Sequence, residues 1–299
     1  MDPHTELFQK HRPRLLGLAY RMLGTPADAE DVLHDAWLRW HAQDKAGLDD
    51  PEAWLVTVTT RLALDRLRHA KVERESYTGP WLPEPLIEPE EHPEAKTERA
   101  ETLALSFLLM LERLTADERA AFLLHDVFDY SHAEAAGMLG ITEDSARQRA
   151  HRAKQRLRDE RVRFTANAQT QRRLLERFAA ALERPSTENL RSLFAEDALH
   201  VSDGGGLARA ALRPLLGGER IARLYFQVAK QEEGHDVRRR LHVLNGAPVM
   251  LTWADGQLVT ATWIECDGER IVALHALRNP QKLARLAAVT KSPDGPSLH

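Results

Sequence analysis

Apolar residues recur three and four positions apart through residues 1–70, which is the spacing of a buried helix face. Two helix starts are marked by a capping residue followed by proline, Thr25-Pro26 and Asp50-Pro51. The helix after Thr25 has an apolar face made of Ala29, Val32, Leu33, Ala36, Trp37 and Trp40. The pattern predicts an all-helical segment over residues 1–70.

A second helical segment, over residues 97–163, ends in two helices joined by a short turn. Ser131 and Glu134 have the spacing of a capping box at the start of the first of these helices. Gly140 supplies a residue that adopts positive φ where that helix stops, and Thr142 caps the next one. The second helix has a buried stripe of Ala146, Ala150, Ala153 and Leu157. This arrangement predicts a helix-turn-helix.

The second helix of this pair carries arginines on the faces away from its alanine stripe. One packed face and one basic face suit a helix laid against DNA phosphates, although a solvated charged helix has the same pattern. The net charge of the whole chain is only −4, so a DNA contact would be concentrated on this helix rather than spread over the surface.

Residues 71–96 lie between the two helical segments and are rich in proline and glutamate, which predicts an extended linker. Trp81-Leu82-Pro83-Glu84-Pro85 stands out within it, because free linkers seldom carry tryptophan beside leucine and proline. A linker pinned onto a neighbouring domain and a docking motif for a partner surface explain this segment equally well.

The last third of the chain has a different pattern. Two amphipathic helices, near 187–195 and 218–231, precede four β-like runs, Val237–Leu244, Val249–Trp253, Leu258–Glu265 and Arg270–Leu277. The turns between these runs are strong hairpin signals, Asn245-Gly246, Asp255-Gly256 and Asp267-Gly268. We predict an α+β domain with a curled sheet over residues 168–285, followed by a flexible tail over 286–299.

Composition excludes several classes of protein. No apolar run is long enough to span a bilayer, and the N-terminus lacks the basic and apolar parts of a signal peptide. The single cysteine, Cys266, excludes an internal disulfide and a cysteine-built metal cluster. We therefore expect a cytoplasmic protein with no membrane contact, no metal site and no cofactor.

Two blocks of sequence resemble the extracytoplasmic-function (ECF) sigma factors of bacterial RNA polymerase. The first runs from Ala29 to Trp40, and the second from Leu114 to Leu157. The resemblance covers residues 1–163. It implies a first domain, residues 1–70, that binds core polymerase and the −10 element, and a second, residues 97–163, that reads the −35 element through the helix-turn-helix.

The resemblance assigns candidate residues to each contact. Core polymerase would meet Asp28, Asp31 and Asp35, for which a solvated helix face is the alternative. The opened −10 strand would meet Trp54, Arg61 and Arg66, although a core position suits Trp54 better. Near the start of the recognition helix, the candidates for contact with −35 base edges are Ser145, Arg147, Gln148 and Arg149. The phosphate contacts would be Arg152, Lys154 and Arg156.

Residues 168–285 resemble the cone-shaped SnoaL-like (NTF2-like) domain that is fused to one group of these sigma factors. That group shares three motifs, present here as Trp81-Leu82-Pro83-Glu84-Pro85, Asp203-Gly204-Gly205-Gly206 and Asn279-Pro280-Gln281-Lys282-Leu283. Leu207 and Gln281 stand where the group has a lysine and an aspartate, so contacts based on those two charges are not expected here.

The resemblance implies a multidomain alternative sigma factor that is not an enzyme, with core RNA polymerase and promoter DNA as partners. Its C-terminal domain would dock on the first domain and on the linker, and so regulate it without a separate anti-sigma factor. Deleting residues from about 168 onward would then change promoter activity.

Two other functions fit the pattern less well. One is a ligand-sensing helix-turn-helix regulator that binds duplex DNA without polymerase. The other is an enzyme fused to a DNA-binding module, with a pocket drawn from His200, Asp203, Tyr225, His242, Trp253, Trp263 and His275. No two of these residues are fixed at a catalytic spacing, so the fold alone does not supply a reaction.

Overall fold

The computed structural model describes residues 3–43, 48–86, 104–161 and 167–290. Their contacts divide the chain into two units, and each is described by itself below. The first unit contains the helices up to Glu75 together with those from residue 104 to residue 159. Residues 76–86 belong to the second unit, with the chain from residue 160 onward. The described part of the predicted linker is therefore split between the two units.

Three helices open the first unit, namely α1 (Pro3–Leu23), α2 (Pro26–Ala42) and α3 (Pro51–Glu75). They pack on one another through apolar side chains, among them Leu15, Leu18, Val32, Trp40 and Leu67, each less than 5% exposed. The all-helical prediction for this segment is confirmed. Helix α3 ends at Glu75, so residues 71–75 are helical, although the sequence predicts a linker from residue 71.

Among the described residues, four further helices belong to the first unit: α4 (Leu105–Leu111), α5 (Ala116–Phe122), α6 (His132–Leu139) and α7 (Glu143–Arg161). A π-helical turn, Leu123–Val127, follows α5 directly. In this turn the Phe128 amide donates to the Leu123 carbonyl five residues back, and Asp129 adopts a φ of 61°. Nothing in the sequence pattern indicated this turn, which changes the direction of the chain before α6 begins.

The helix-turn-helix is formed by α6 and α7, as predicted. The hydroxyl of Ser131 accepts a hydrogen bond from the Glu134 amide at 3.2 Å, and the Glu134 carboxylate accepts one from the Ser131 amide at 2.7 Å. Gly140 ends α6 in the left-handed conformation with a φ of 67°. The alanine stripe of α7 is buried, and its members Ala146, Ala150 and Ala153 are at most 2% exposed.

The second unit combines helices with one six-stranded sheet. Helices α8 (Ala168–Glu183) and α9 (Thr187–Ser192) lead into strand β1 (Phe194–Asp203), the two-residue strand β2 (Leu215–Leu216) and helix α10 (Gly218–Gln231). An antiparallel meander follows, made of β3 (Val237–Leu244), β4 (Ala247–Ala254), β5 (Gln257–Cys266) and β6 (Ile271–Leu277). The last described helix is α11 (Pro280–Val289).

The strand order is β2-β1-β6-β5-β4-β3, with β1 parallel to β6 and every other pair antiparallel. The four predicted strands are confirmed, and the Asn245-Gly246 and Asp255-Gly256 turns have the positive φ values of two-residue hairpin loops. Strand β1 was missed, because the helix expected near 187–195 ends at Ser192. Helix α11 also extends into residues 286–289, where a tail was expected.

One face of the sheet packs on helices α8, α9 and α10. The core on this side contains Leu175, Phe178, Ile221, Leu274 and Ile264, each at most 3% exposed. Successive residues of a strand point to opposite faces, so His275 lies on the other face from its neighbour Leu274. The polar residues on the strands therefore fall into two groups, one on each face of the sheet.

Among the helices of the described residues, none is both long enough and apolar enough to cross a bilayer.

Candidate nucleic-acid interface and linker site

The proposed DNA-reading residues of α7 differ in exposure. Arg147 and Gln148 are exposed near the start of the helix, whereas Ser145 and Arg149 are half-buried. The Ser145 amide donates to the Thr142 hydroxyl at 3.3 Å, so Ser145 belongs to the cap of the helix. The two exposed side chains are therefore the ones best presented for contact with base edges.

Every basic residue proposed to contact DNA on α7 has an acidic neighbour. Arg147 pairs with Glu143 at 2.7 Å within its own helix. Lys154 pairs with Asp126 of the π-helical turn. Arg149 lies 3.8 Å from Asp117 at the start of α5.

Glu118, in the first turn of α5, contacts two arginines of α7. Its Oε2 accepts a hydrogen bond from Arg156 Nη1 at 2.6 Å, and its Oε1 accepts one from Arg152 Nε at 3.3 Å. The Glu118 side chain is only 5% exposed, whereas those of Arg152 and Arg156 are about half exposed. Glu118 also forms a capping box with Thr115 at the start of α5. Its contacts with α7 join residues 34 and 38 positions apart, which no local pattern reveals.

The residues proposed for the −10 strand occupy two places on α3. Trp54 is half-buried near its start, with its ring centroid 5.6 Å from that of Trp40. It also lines a cleft of about 530 Å³ together with Arg14, Tyr130 and Met138. Trp54 is therefore partly packed and partly open. Its ring lies beside that of Trp40 and also borders the cleft.

Arg61 and Arg66 are engaged in different contacts. Arg61 donates to the carbonyls of Met138 at 2.8 Å and Gly137 at 3.2 Å, at the C-terminal end of α6. A cation at this end of a helix is favoured by the helix dipole. Arg66 instead bonds Asp28 at 2.9 Å and Glu73 at 3.2 Å.

The three acids proposed to meet polymerase are not equivalent. Asp31 and Asp35 are exposed on α2. Asp28 is only 19% exposed, because it accepts hydrogen bonds from the Thr25 hydroxyl at 2.6 Å and from Arg66. Asp31 and Asp35 are therefore the acids of this face that remain open to a partner.

A buried ionic network holds α4 and α5 against α1 and α3. Glu112 bonds Arg119 at 2.8 Å and Arg74 at 2.6 Å, and Arg119 Nη1 also donates to the Met22 carbonyl at 2.8 Å. The Arg119 side chain is 1% exposed. Burial alone would raise the pKa of Glu112, but the two guanidinium groups hold it below its usual range. No sequence pattern indicated this network, because its charges come from α3, α5 and the residue that follows α4.

In the second unit, the Asp203 carboxylate binds the start of the linker. Asp203 has no exposed surface, and its Oδ1 accepts a hydrogen bond from the Tyr77 hydroxyl at 2.5 Å. Its Oδ2 accepts hydrogen bonds from the Leu82 amide at 2.9 Å and from Lys282 Nζ at 2.6 Å. The Asp203, linker and Asn279–Leu283 motifs are thus brought together at one carboxylate.

Lys282 completes this cluster. Its ammonium group donates to the Leu82 carbonyl at 2.7 Å and lies 4.1 Å from the centroid of the Trp81 ring, within range of a cation–π interaction. Asn279 donates from Nδ2 to the Tyr77 hydroxyl at 2.8 Å. We call Tyr77, Leu82, Asp203, Asn279 and Lys282 the linker cluster.

The rest of the linker motif is also covered. Pro83, Glu84 and Pro85 are buried, and the Leu86 amide donates to Asn245 Oδ1 at 2.8 Å. Of the Asn279–Leu283 motif, Leu283 is buried and Pro280 is exposed at the first position of α11.

Steric constraints explain why the three residues after Asp203 are glycines. Gly205 has a φ of 59°, and a Cβ there would overlap Asn279 Nδ2 and crowd the Tyr77 hydroxyl. A Cβ on Gly204 would overlap the Ala208 carbonyl, and Gly206, with a φ of 73°, packs on Thr78. Leu207 is 58% exposed, and the Gln281 side chain is exposed as well. Both positions therefore lie outside the linker cluster, and so would the lysine and the aspartate that the group has there.

The histidines of the second unit do not converge on one site. His200 lies on the helix-facing side, its ring 5.4 Å from that of Tyr225, and burial lowers its pKa to about 4. His275 bonds Glu265 at 3.0 Å on the opposite face and stacks on Trp263 at 5.4 Å. Farther along the sheet, the ring of His242 lies 6.0 Å from that of Trp253.

Comparison with known proteins identifies the family. The model of sigma-70 region 2 matches residues 7–72, and that of sigma-70 region 4 matches residues 104–157. The ECF RNA polymerase sigma factor SigJ of Mycobacterium tuberculosis is 35% identical over 286 residues, which cover 92% of this chain and 91% of that protein. The chain belongs to the ECF sigma factor family.

The similarity extends beyond the two promoter-reading regions. The crystal structure of M. tuberculosis SigJ matches 94% of this chain and 98% of its own with a TM-score of 0.73 and 32% identity. The probable ECF sigma factor SigI of the same organism is 27% identical over 292 residues, 96% of this chain and 97% of that protein. The match to SigJ includes the second unit, whose helices and six-stranded sheet agree with the SnoaL-like (NTF2-like) resemblance of its sequence, and we refer to it as the SnoaL-like domain.

Membership of the family settles the general function. This ECF sigma factor is an alternative sigma factor, which binds core RNA polymerase and directs it to promoter DNA. Sigma factors are not enzymes, and transcription is catalysed by the polymerase that they bind.

Proposed function

We propose that the SnoaL-like domain regulates this sigma factor by holding the linker that follows region 2. The observation that carries the proposal is the fully buried Asp203 carboxylate, which receives two hydrogen bonds from the linker, one from Tyr77 and one from Leu82. A buried carboxylate requires such partners, because a charge removed from water is costly unless it is paired and hydrogen-bonded.

Lys282, in helix α11, connects that helix to the Asp203 carboxylate and to the linker. It neutralises Asp203 and at the same time binds the Leu82 carbonyl and the Trp81 ring. Loss of the linker would leave the ammonium group without two of these contacts. The bound linker and the end of the SnoaL-like domain therefore stabilise each other.

Holding the linker limits how far the two DNA-reading regions can separate once the contacts between them, such as the Arg74–Glu112 pair, are broken. Residues 77–86 bridge from Tyr77 to the hydrogen bond that Leu86 makes with Asn245. A free, extended segment of ten residues spans up to about 33 Å. Release of the linker would let residues 77–86 extend up to that span, whereas binding fixes the distance between their ends.

The scheme also includes a contact between the SnoaL-like domain and region 2, and it needs no separate anti-sigma factor. A regulator on the same chain is always present at one copy per sigma factor. The polar residues of the SnoaL-like domain support regulation rather than catalysis, since Asp203 is committed to the linker and His200 and His275 lie on opposite faces of the sheet.

For promoter reading, we propose that Arg147 and Gln148 contact −35 base edges, with Ser145 and Arg149 beside them. Arg152, Lys154 and Arg156 would contact phosphates, and Trp54 with Arg61 and Arg66 would meet the opened −10 strand. The half-exposed guanidinium groups of Arg152 and Arg156 support this division, since they lie farther along α7 than the base-edge candidates.

The test is transcription by core polymerase with full-length Asp203→Asn, on a template recovered from random DNA by the wild-type holoenzyme. Asp255→Asn is the control, because Asp255 lies on an exposed hairpin turn of the same domain. We expect Asp203→Asn to release the linker to proteolysis and to change transcript yield several-fold, while Asp255→Asn does neither. Linker release with unchanged transcription would refute regulation through the linker.

A further inference from the structure

The acidic end of α5 and the basic face of α7 form a contact that no motif assigns. Glu118 lies between Arg152 and Arg156, one oxygen to each, with its own side chain nearly inaccessible to solvent. Each guanidinium carries five N–H donors and uses one of them on Glu118, so both arginines keep donors for a further anion.

The Glu118 carboxylate is itself held in place. It accepts the Thr115 amide at 3.1 Å, and the Glu118 amide donates to the Thr115 hydroxyl at 3.2 Å. Burial alone would raise the pKa of Glu118, but the bonds from Thr115 and the two arginines lower it, so the group is ionised at neutral pH. A fixed negative charge therefore meets the two arginines at a defined position.

An acid in this position has one of two opposite effects on DNA binding. It competes with DNA phosphates for the arginines, or it orders two long side chains before DNA arrives and so reduces the entropy lost on binding. The geometry favours ordering, because Glu118 lies on the buried side of the arginines and leaves about half of each side chain exposed.

We propose that Glu118 is a positioning residue that orients Arg152 and Arg156 toward the phosphates of the −35 duplex. The inference rests on the proposed function, in which these two arginines contact DNA. It adds a residue that touches no DNA itself and acts through the side chains that do.

Glu118→Gln in the full-length holoenzyme is the decisive variant. Glutamine retains an oxygen that accepts the Thr115 amide, so the capping box persists while the charge that orients the arginines is lost. Glu134→Gln is a matched control, since Glu134 forms the same capping box with Ser131 at the start of α6.

The measurement is binding of the holoenzyme to a promoter duplex selected from random DNA, followed by fluorescence anisotropy at several salt concentrations. We expect Glu118→Gln to weaken binding roughly three- to tenfold, which is the net contribution of one ordinary hydrogen bond. The slope of log affinity against log salt should become shallower by about one to two phosphate contacts. Glu134→Gln should leave affinity and slope at wild-type values.

The direction of the change in DNA affinity distinguishes ordering of the arginines by Glu118 from competition between Glu118 and the DNA phosphates. Removing a negative charge near DNA strengthens binding if Glu118 only competes or repels, so unchanged or tighter binding by Glu118→Gln overturns the proposal. Glu118→Asp guards against misfolding of the first variant: it keeps the charge but withdraws the carboxylate by one methylene, and it should weaken binding as well. Wild-type affinity in a folded Glu118→Asp protein would also overturn the proposal.

Failure of the underlying function is detected separately. An Arg152→Ala, Arg156→Ala double variant should weaken promoter binding, and adding Glu118→Gln to it should cause no further loss. Wild-type binding by the double variant would refute the phosphate contacts themselves. A further loss on adding Glu118→Gln would show that Glu118 acts by another route and would refute the positioning role alone.

Discussion

Arg66 donates a hydrogen bond from Nε to Asp28 Oδ1 at 2.9 Å, which joins the C-terminal half of α3 to the first turn of α2. The same Asp28 carboxylate accepts a hydrogen bond from the Thr25 hydroxyl just before α2 begins. A residue proposed for polymerase is thus paired with one proposed for DNA, and both side chains serve the packing of region 2.

Asp28→Asn should therefore lower the stability of region 2 by about 0.5–1 kcal/mol, the usual contribution of a partly exposed ion pair. Asp31→Asn and Asp35→Asn, in exposed positions, should leave stability unchanged and weaken binding to core polymerase. Thermal unfolding together with a titration of core enzyme measures both effects. A loss of core binding by Asp28→Asn with no change in unfolding would show that Asp28 contacts polymerase directly.

The Glu112 network predicts a larger effect. Glu112→Gln leaves the buried Arg119 guanidinium without its carboxylate, and removing one partner of a buried pair costs about 3–5 kcal/mol. Hydrogen exchange of the α4 and α5 amides, with chemical unfolding, would measure the loss. Glu73→Gln provides the comparison, because Glu73 is 63% exposed where it pairs with Arg66, and it should change stability by less than about 1 kcal/mol. Equal effects of the two substitutions would contradict the network's role.

Gly205→Ala should disrupt the linker cluster. The new Cβ would overlap Asn279, and the strained φ adds about 1–3 kcal/mol of cost. Gly234 also has a positive φ, of 91°, but open space where its Cβ would lie, so Gly234→Ala controls for backbone strain without the overlap. We expect faster proteolysis of the linker only in Gly205→Ala. Identical proteolysis of the two variants would mean that the glycine is required by backbone conformation and not by the cluster.

Buried His200 should make the stability of the SnoaL-like domain sensitive to acid. Burial lowers its pKa from 6.5 to about 4, so the unfolded chain binds a proton at pH values where the folded chain does not. Stability should thus fall as the pH drops below about 6.5, with a maximum loss of about 3 kcal/mol near pH 4.

His200→Gln should flatten this dependence, as measured by chemical unfolding at pH 7 and pH 5. If His200→Gln retains the full slope between these pH values, other groups must account for it.

Local signals predicted much of this structure. The capping box of Ser131 and Glu134, the turn at Gly140 and the two Asx-Gly hairpins each depend on residues at most four positions apart, and their geometry follows from those residues. Strand β1 did not follow, because Phe194–Asp203 pairs in parallel with β6 across about 70 intervening residues and with a shift in register. Its sequence has no clean alternation that would separate it from the preceding helix.

In the candidate sites too, local motifs were visible in the sequence but the pairings between distant residues were not. Three motifs indicated a docking function, yet the sequence could not show that Asp203 would bond Lys282, 79 positions away, or that Tyr77 would join them. The partners of the α7 arginines were likewise hidden, since Asp117 and Glu118 lie in an earlier helix. Such pairings depend on tertiary packing, which no local window contains.

Tyr77 and Asp203 belong to one chain, 126 positions apart, and this fixes how the linker cluster responds to protein level. An intramolecular equilibrium has no concentration term, so doubling the amount of this sigma factor doubles the bound and the free linker alike. A separate inhibitor would be outnumbered by overexpression, whereas this contact would not. The fraction of molecules with a free linker can change only through something that acts on the contact itself, such as a ligand, a binding partner or a substitution.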